Sequence, residues 1–256
     1  MHSWFDDIRA KLRMNFQEGE IRLDEDRMIM IHLDAFGAFR RELIDTLGSA
    51  EARGLLMRMG YAAGARDAEL ARRLRGEHDL LDAFEIGPLL HAFEGLVAVE
   101  PARIDIDVAR GRHHVLQTWR NSAEASAHLA TLGVSKAPIC WMQIGYASGY
   151  NSAFFGRSIL FRETACRGMG HENCEIEGRP AQEWPDAEDD VAFLKPTSFV
   201  NRSFGTSTAA TLSQFEMIGV SPSFISACRQ VERVAGKTVT SRPEAVSIRR
   251  MFRLIP

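Results

Sequence analysis

The sequence lacks three features that would each assign it to a separate class of protein. No run of 18 apolar residues occurs in its 256 residues, so no typical membrane-spanning helix is expected. Basic residues are not in excess, and the net charge of −3 gives no electrostatic case for direct DNA binding. The N-terminus has acidic residues where a signal peptide would have basic and apolar ones. We therefore expect a cytoplasmic protein that contacts neither membrane nor nucleic acid directly.

Cysteine is also scarce, and its distribution is informative. The chain has four cysteines, of which Cys140, Cys166 and Cys174 lie in its middle part while Cys228 stands apart. This pattern is typical of a reducing compartment and not of a disulfide framework. Cys166 and Cys174 flank a glycine-containing stretch that can turn back and face two thiolates toward one point.

A metal is one of two interpretations that this spacing leaves open. The spacing is not the CxxC pair of a zinc ribbon or finger, so the three thiols could equally be small buried apolar groups. If a metal is bound, Glu163 and His171 are rival candidates for the fourth ligand, since both lie close to the cysteines in the sequence. A zinc ion closed by four protein ligands would be structural, because no position is left for water.

The order of apolar patterns predicts an α+β fold. Two short strands around an acidic turn are expected at 20–32, and helices at 34–75 with a break near Gly48 and further possible breaks near Gly60 and Gly64. Pro88 is expected in the first turn of a helix over 88–95. Strands follow at 102–108 and 113–119, and Asn121 opens a capped helix. A helix over 138–154 carries Cys140, and 158–179 form a hairpin with the other candidate ligands.

The composition changes after Trp184. An acidic stretch and then a segment rich in Ser, Thr, Asn and Gly predict a linker up to about residue 213. The sequence Gly236-Lys237-Thr238 resembles a phosphate-binding loop, but that motif needs a glycine at the position of Val231. We therefore expect no nucleotide hydrolysis by this chain.

Residues 138–184 carry a family resemblance. The segments Pro-Ile-Cys-Trp-Met-Gln-Ile-Gly-Tyr and Arg-Glu-Thr-Ala-Cys-Arg-Gly-Met-Gly-His-Glu-Asn-Cys resemble the vinyl-4-reductase-type domain. More specifically, they resemble the aromatic-effector sensor domain of XylR/DmpR-type bacterial activators, which depend on an alternative sigma factor. The likeness extends more loosely back to about residue 15. It implies a structural zinc held by Cys140, Glu163, Cys166 and Cys174.

The resemblance also implies a pocket for an aromatic effector, around which the helices and antiparallel strands are arranged. Without it, His91 and Trp119 would be interpreted as core residues; with it, they are expected to hold a phenolic hydroxyl. An imidazole and an indole N–H can both pair with one hydroxyl in a dry pocket, which favours phenols over bare hydrocarbons. The rest of the pocket, by the same likeness, consists of Phe84, Ile144, Tyr146, Tyr150 and Phe161.

Two details of this pocket stay open in the sequence. Phe84 and His91 are seven residues apart, which places them on one helical face only if Pro88 does not break the segment. Gln117 shares a strand face with Trp119, whereas relatives tend to be apolar there. Its amide would either weaken binding of plain aromatics or add a hydrogen bond to a substituted one, unless it points to a solvated edge.

The resemblance implies a domain arrangement. We expect a dimerisation region at 1–45, an aromatic-sensing and zinc-binding domain at 46–184 with its zinc part at 138–184, and a linker at 185–213. Residues 214–234 resemble the opening of an AAA+ ATPase module, and the tail from Ser241 matches nothing in the family. Because the sequence has no room for the ATPase core or a helix-turn-helix, we expect a sensor fragment or a truncated product.

Three functions are compatible with these features. The first is a homodimeric sensor that binds a phenol-like effector and relieves repression of an ATPase module. The second is a ligand-binding or dimerisation scaffold with a vestigial pocket. The third is a component of a tetrapyrrole-reductase-type enzyme, which is disfavoured because four protein ligands would leave the zinc no open position.

Overall fold

The computed structural model describes residues 4–75, 80–107 and 110–194. These residues form seven α-helices and seven strands. The strands form two separate antiparallel sheets, one of three strands near the N-terminus and one of four strands further along the chain. The architecture is α+β, as the sequence predicts. No helix within the described residues is both long enough and apolar enough to span a membrane.

The N-terminal sheet follows a short helix. Helix α1 (Trp4–Lys11) leads into β1 (Leu12–Asn15), β2 (Glu20–Leu23) and β3 (Asp26–Met28), which pair in the order β1-β2-β3. The predicted pair of strands around an acidic turn is confirmed, and Asp24 in that turn has a positive φ of 55°. The second strand ends at Met28 and does not reach residue 32, while α1 and β1 were not predicted.

Three helices come next, and the predicted helical range 34–75 with a break near Gly48 is confirmed to within one residue. Helix α2 (Leu33–Leu47) ends at Gly48, whose φ of 86° favours glycine, and α3 (Ser49–Arg75) then runs without interruption. The possible breaks at Gly60 and Gly64 were wrong. These glycines stay helical because they allow another helix to approach closely.

That partner is α6 (Trp141–Phe155), which packs against α3 through small residues on both helices. A Cβ atom at Gly60 would lie 1.8 Å from the carbonyl oxygen of Met142, and one at Gly64 would lie 2.1 Å from that of Tyr146. Gly145 and Gly149 of α6 approach the backbone of α3 in the same way. Without side chains at the crossing, the two backbones are in direct contact.

Helix α4 (Leu80–Phe93) contains Pro88 in its interior, so the predicted helix over 88–95 with proline in its first turn was wrong. Proline lacks the N–H that would bond to the carbonyl four residues earlier, which is that of Phe84. The hydroxyl of Tyr150 on α6 donates to this carbonyl at 3.3 Å. The helix therefore continues because a side chain from a neighbouring helix replaces the missing donor.

The second sheet contains β4 (Ala98–Asp107), β5 (Arg112–Arg120), β6 (Ile159–Ala165) and β7 (Cys174–Pro180), in the order β4-β5-β7-β6. The predicted β4–β5 and β6–β7 hairpins are both present, although β4 begins at Ala98 and not at Ala102. Between them lie α5 (Ala123–Leu132) and α6. Ser122, and not Asn121, caps α5, because its hydroxyl accepts the N–H of Ala125 at 3.0 Å.

The last described helix, α7 (Ala187–Leu194), occupies the beginning of the segment expected to be a linker. Asp190 of α7 accepts hydrogen bonds from Arg53 of α3 at 2.9 Å and from Arg162 of β6 at 2.5 Å. This part of the segment is thus attached to α3 and β6. The rest of the linker, the AAA+-like segment, the Gly236-Lys237-Thr238 sequence, Cys228 and the tail lie outside the described residues.

Candidate functional site

The structure brings together the four residues that the sequence nominates as metal ligands. Cys140 precedes the first residue of α6, Glu163 lies on β6, and Cys174 begins β7. Cys166 lies in the connection between β6 and β7, before a single 3₁₀ turn at Arg167–Met169. One ligand atom from each of the four residues lies within 4.8 Å of the other three.

The separations and the donor set fit a four-coordinate zinc. A tetrahedral ion with bonds of the usual length to sulfur places two thiolates about 3.8 Å apart, and the sulfur atoms of Cys140 and Cys174 are 3.7 Å apart. Oε2 of Glu163 accepts the N–H of Cys140 at 2.9 Å, but its buried Oε1 has no hydrogen-bond partner. A buried carboxylate oxygen without a donor is costly unless a cation compensates it.

Electrostatics support the same conclusion. Burial raises the pKa of Glu163 to about 8 and raises the pKa of Cys140 well above its usual range. Hydrogen bonds from Cys140 and Cys174 instead lower the pKa of Cys166 to about 2, so the bare cluster favours charge on one thiolate and disfavours it on Cys140 and Glu163. A bound dication would reverse this balance, because it stabilises the thiolates and the carboxylate directly.

Backbone and hydroxyl groups surround the sulfur atoms. The N–H of Gly168 points to Cys166 and that of Arg167 points to Cys174, both at 3.3 Å, and the hydroxyl of Ser122 lies 3.2 Å from the sulfur of Cys140. Such outer contacts orient metal ligands and balance their charge. His171, the rival fourth ligand, is exposed on the turn and lies outside the cluster of four.

A second group of predicted residues meets around His91, on α4. Its ring lies edge-on to the ring of Trp119 on β5, with 5.6 Å between centroids, and stacks on Tyr146 of α6 at 4.1 Å. His91 and Trp119 are almost completely buried, at 2% and 1% exposure. Nε2 of His91 is buried and has no hydrogen-bond partner. Burial lowers the pKa of His91 to about 3, so the imidazole is neutral at physiological pH.

The other five predicted residues divide between two hydrophobic clusters that His91 connects. Ile144 and Phe161 belong with Trp119 to the cluster beside the four-stranded sheet. Tyr146, Tyr150 and the partly buried Phe84 belong to the cluster between α3, α4 and α6. Because α4 is continuous through Pro88, Phe84 and His91 lie on one helix. The ring of Phe84 packs against that of Tyr150, with 6.2 Å between the ring centroids. The structure thus collects all seven residues in one region.

Gln117 lies on the core side of β5, which settles its orientation. Its neighbours at alternate positions, Val115 and Trp119, are buried, and Gln117 itself is half-buried. The indole N–H of Trp119 donates to Oε1 of Gln117 at 3.0 Å. The indole N–H of Trp119, one of the two groups expected to bind a hydroxyl, is therefore already paired within the protein.

Two buried polar networks next to these sites were not predicted. The hydroxyl of Tyr146 donates to Asp67 at 2.5 Å, and Asp67 in turn shares a hydrogen bond with Glu94. Burial raises the pKa of Asp67 to about 6 and that of Glu94 to about 8. Asp67 lies within α3 and Glu94 in the turn that follows α4, and no sequence motif identifies either carboxyl.

The other network supports the start of α6. Arg40 of α2 donates to Glu124 of α5 at 2.5 Å and to the carbonyl of Ile139 at 2.7 Å. Glu124 also accepts the N–H groups of Met142 and Gln143 at 3.0 and 3.1 Å, where a carboxylate complements the helix dipole. Arg40 and Glu124 are fully buried, and together they fix the helix that begins beside Cys140.

Comparisons with known proteins match both halves of this region. A family model described as an activator of aromatic catabolism matches residues 7–107, and a model of the vinyl-4-reductase-type domain matches residues 119–180. The chain is 37% identical over 243 residues to the transcriptional regulatory protein XylR of Pseudomonas putida, covering 91% of this chain and 43% of that protein. It is 32% identical over 246 residues to the phenol regulator MopR of Acinetobacter guillouiae, covering 91% and 44%.

A solved structure is also similar. The phenol-responsive sensory domain of the transcription activator PoxR, crystallised with phenol, superposes with a TM-score of 0.73 at 47% identity, covering 75% of this chain and 96% of that one. By contrast, the chain spans less than half the length of the two regulators named above. The similarity therefore covers almost all of the PoxR sensory domain and less than half of each of the two regulators.

Proposed function

This chain belongs to the XylR-type family of aromatic-effector sensor domains, and from that premise we propose that it binds a phenol-like effector at His91 and Trp119. The observation that carries the proposal is the buried Nε2 of His91, which has no partner and lies beside Trp119 among aromatic rings. An unpaired buried polar atom is unfavourable, and a hydroxyl group on a bound ring would satisfy it. Phe84, Ile144, Tyr146, Tyr150 and Phe161 supply the apolar surroundings.

We assign a structural role to the metal site. Cys140, Glu163, Cys166 and Cys174 would hold zinc, which would tie the start of α6 to the β6–β7 hairpin. The four protein ligands leave no position for a reacting water, so the ion is expected to stabilise the fold and not to catalyse a reaction. The named relatives are transcriptional regulators, and we propose that this chain is likewise a binding domain without a catalytic step.

A homodimer is the proposed assembly, formed through residues 1–45. Large apolar side chains are exposed in this region, including Phe16 at 89%, Ile29 at 76% and Met30 at 72%. Several large exposed apolar side chains within one segment are consistent with a protein interface there. Phe16→Asp and Ile29→Asp should shift the mass measured by light scattering from dimer to monomer, whereas Val134→Asp, at an exposed position outside residues 1–45, should not.

The output of the sensor would pass through the segment 185–213. In a full-length relative this segment would connect the sensor to an ATPase module, which effector binding would release from repression. Helix α7 supports this route, because Asp190 attaches it to α3 and β6, and α3 packs against the helix that carries Tyr146. The alternative is a scaffold with a vestigial pocket, which would bind no aromatic ligand.

Calorimetric titration tests the proposal directly. Purified protein is titrated with phenol and with toluene, and its zinc content is measured by elemental analysis. The proposal expects saturable phenol binding that is tighter than toluene binding, together with about one zinc per chain. Absence of binding by either ligand to folded, zinc-loaded protein would instead support the scaffold.

A further inference from the structure

We infer that Gln117 sets the specificity of the proposed aromatic site toward rings with two adjacent hydroxyl groups, so that a 1,2-dihydroxybenzene is preferred over phenol. This inference rests on the proposed function and refines it. It starts from the hydrogen bond in which the indole N–H of Trp119 donates to Oε1 of Gln117 at 3.0 Å. The two polar groups expected to hold a hydroxyl are therefore not equivalent: Nε2 of His91 is free, and Trp119 is not.

Counting donors and acceptors shows why one hydroxyl is insufficient. If a phenol hydroxyl pairs with His91 and also accepts the indole N–H, Trp119 must release Gln117. The amide oxygen of Gln117 then loses its donor in a half-buried position on the core side of β5. The hydrogen bond gained at Trp119 is offset by the one lost at Gln117.

A second hydroxyl on the neighbouring ring carbon removes this deficit. It can donate its proton to the amide oxygen of Gln117. The first hydroxyl meanwhile pairs with His91 and accepts the indole N–H of Trp119. The positions must be adjacent, because the indole nitrogen and the amide oxygen are only 3.0 Å apart. The same logic predicts that a 1,3-dihydroxybenzene gains less, since its second hydroxyl is directed away.

An apolar residue at position 117 would reverse the preference. In Gln117→Leu the indole N–H has no acceptor in the free protein, so a single phenol hydroxyl satisfies it without displacing anything. A second hydroxyl would face a leucine and would be buried without a partner, which is unfavourable. Losing one buried hydrogen bond weakens binding by roughly ten- to a hundredfold.

The experiment compares phenol, catechol and resorcinol as calorimetric probes with the wild-type protein, Gln117→Leu and Gln117→Met. The expected result is that wild type binds catechol at least about tenfold more tightly than phenol and than resorcinol, and that both variants bind phenol at least as tightly as catechol. Thr118→Val is the matched control, because Thr118 is on the opposite face of β5 and donates to Glu175 at 2.9 Å. Thermal melting and zinc content verify that each variant is folded.

Three outcomes are informative. Equal changes in phenol and catechol affinity in both Gln117 variants would overturn the inference and leave the aromatic-sensor proposal intact. The same holds if wild type binds phenol and catechol equally. If the folded wild type binds none of the three probes, the proposed function itself fails, and the role of Gln117 fails with it.

Discussion

At the scale of single residues, the chemistry of the proposed effector site depends on a buried, neutral histidine. His91 is neutral because burial lowers its pKa to about 3. Its Nε2 has no partner, while the N–H of Trp119 is bonded to Gln117. The free protein thus keeps one polar atom available inside an apolar region, which is a physical basis for distinguishing a phenol from a hydrocarbon.

Replacing His91 tests this distinction. We expect His91→Ala to weaken phenol binding by roughly ten- to a hundredfold, because the hydroxyl loses its partner. Toluene binding should weaken much less or improve, since the variant no longer buries an unpaired nitrogen. The two ligands are titrated side by side. His114→Ala serves as the control, because His114 lies on the other face of β5 and pairs with Glu177 at 2.7 Å. Equal losses for both ligands would show that His91 only shapes the site.

At the scale of secondary structure, the crossing of α3 and α6 holds both sites in place. Helix α6 begins beside Cys140 and carries Tyr146 and Tyr150, so its position relative to α3 affects both the candidate metal ligands and the proposed effector site. The crossing depends on glycines at a spacing of four residues on each helix, Gly60 and Gly64 facing Gly145 and Gly149. Backbone contact of this kind leaves no space for even a methyl group.

Two alanine substitutions in α3 separate the steric requirement of the α3–α6 crossing from the effect of alanine on helix propensity. Gly60→Ala should lower the free energy of unfolding by about 1–3 kcal/mol or more, because its Cβ would lie 1.8 Å from the carbonyl oxygen of Met142. Gly54→Ala should be neutral or stabilising by up to about 1 kcal/mol. There the new Cβ lies 3.0 Å from Nη1 of Arg58 and no closer than 3.5 Å to any backbone atom of another element. Urea denaturation measures the free energy of unfolding of both variants. Equal changes in the two would contradict the close crossing of α3 and α6.

At the scale of the whole molecule, the metal site and a buried acid pair connect elements that are distant in sequence. The four candidate metal ligands connect α6 with the β6–β7 hairpin. Asp67 and Glu94 connect α3 with the end of α4 and, through Tyr146, with α6. Stability should therefore depend on zinc and on pH.

Removing a metal ligand should unfold the domain. Cys166→Ala or Cys174→Ala should lose zinc and cooperative thermal melting, since a structural zinc contributes folding free energy directly. Cys228→Ala, which changes the cysteine not assigned to the metal, should keep both. Elemental analysis and scanning calorimetry give the two readouts. A wild-type protein with far less than one zinc per chain would refute the assignment.

The acid pair should make the protein less stable as the pH rises. Burial raises the pKa of Glu94 to about 8 and that of Asp67 to about 6, so the folded state holds more protons than the unfolded state above about pH 4. The free energy of unfolding then falls between about pH 4 and pH 8. Asp26, which raises the pKa of Asp67, and Arg73, which lowers it, also face this pair.

Glu94→Gln should reduce this dependence, because an amide does not ionise. Relative to that of wild type, the free energy of unfolding of the variant should rise by on the order of 2 kcal/mol from pH 5 to pH 8. Urea denaturation at a series of pH values measures the difference, and Glu85→Gln, at an exposed position on α4, is the control. A constant offset between wild type and Glu94→Gln at all pH values would contradict a buried proton at Glu94.

The sequence by itself determined the α+β class, the two hairpins of the larger sheet and the grouping of three cysteines near Glu163 and His171. These features follow from the local periodicity of apolar residues, from turn-forming residues and from the spacing of the cysteines along the sequence. Their roles as ligands and pocket residues came from a family resemblance and remain proposals that the titrations above test.

Tertiary structure decided the rest, because the deciding contacts join residues far apart in the chain. Pro88 stays within a helix because Tyr150, 62 positions later in the sequence, supplies the missing donor to Phe84. Gly60 and Gly64 do not break α3 because α6 packs on them. Gln117 turns toward the core and accepts the indole N–H of Trp119, whereas strand periodicity left its orientation open. Local propensity cannot contain this information, since each outcome depends on a partner that only the fold brings close.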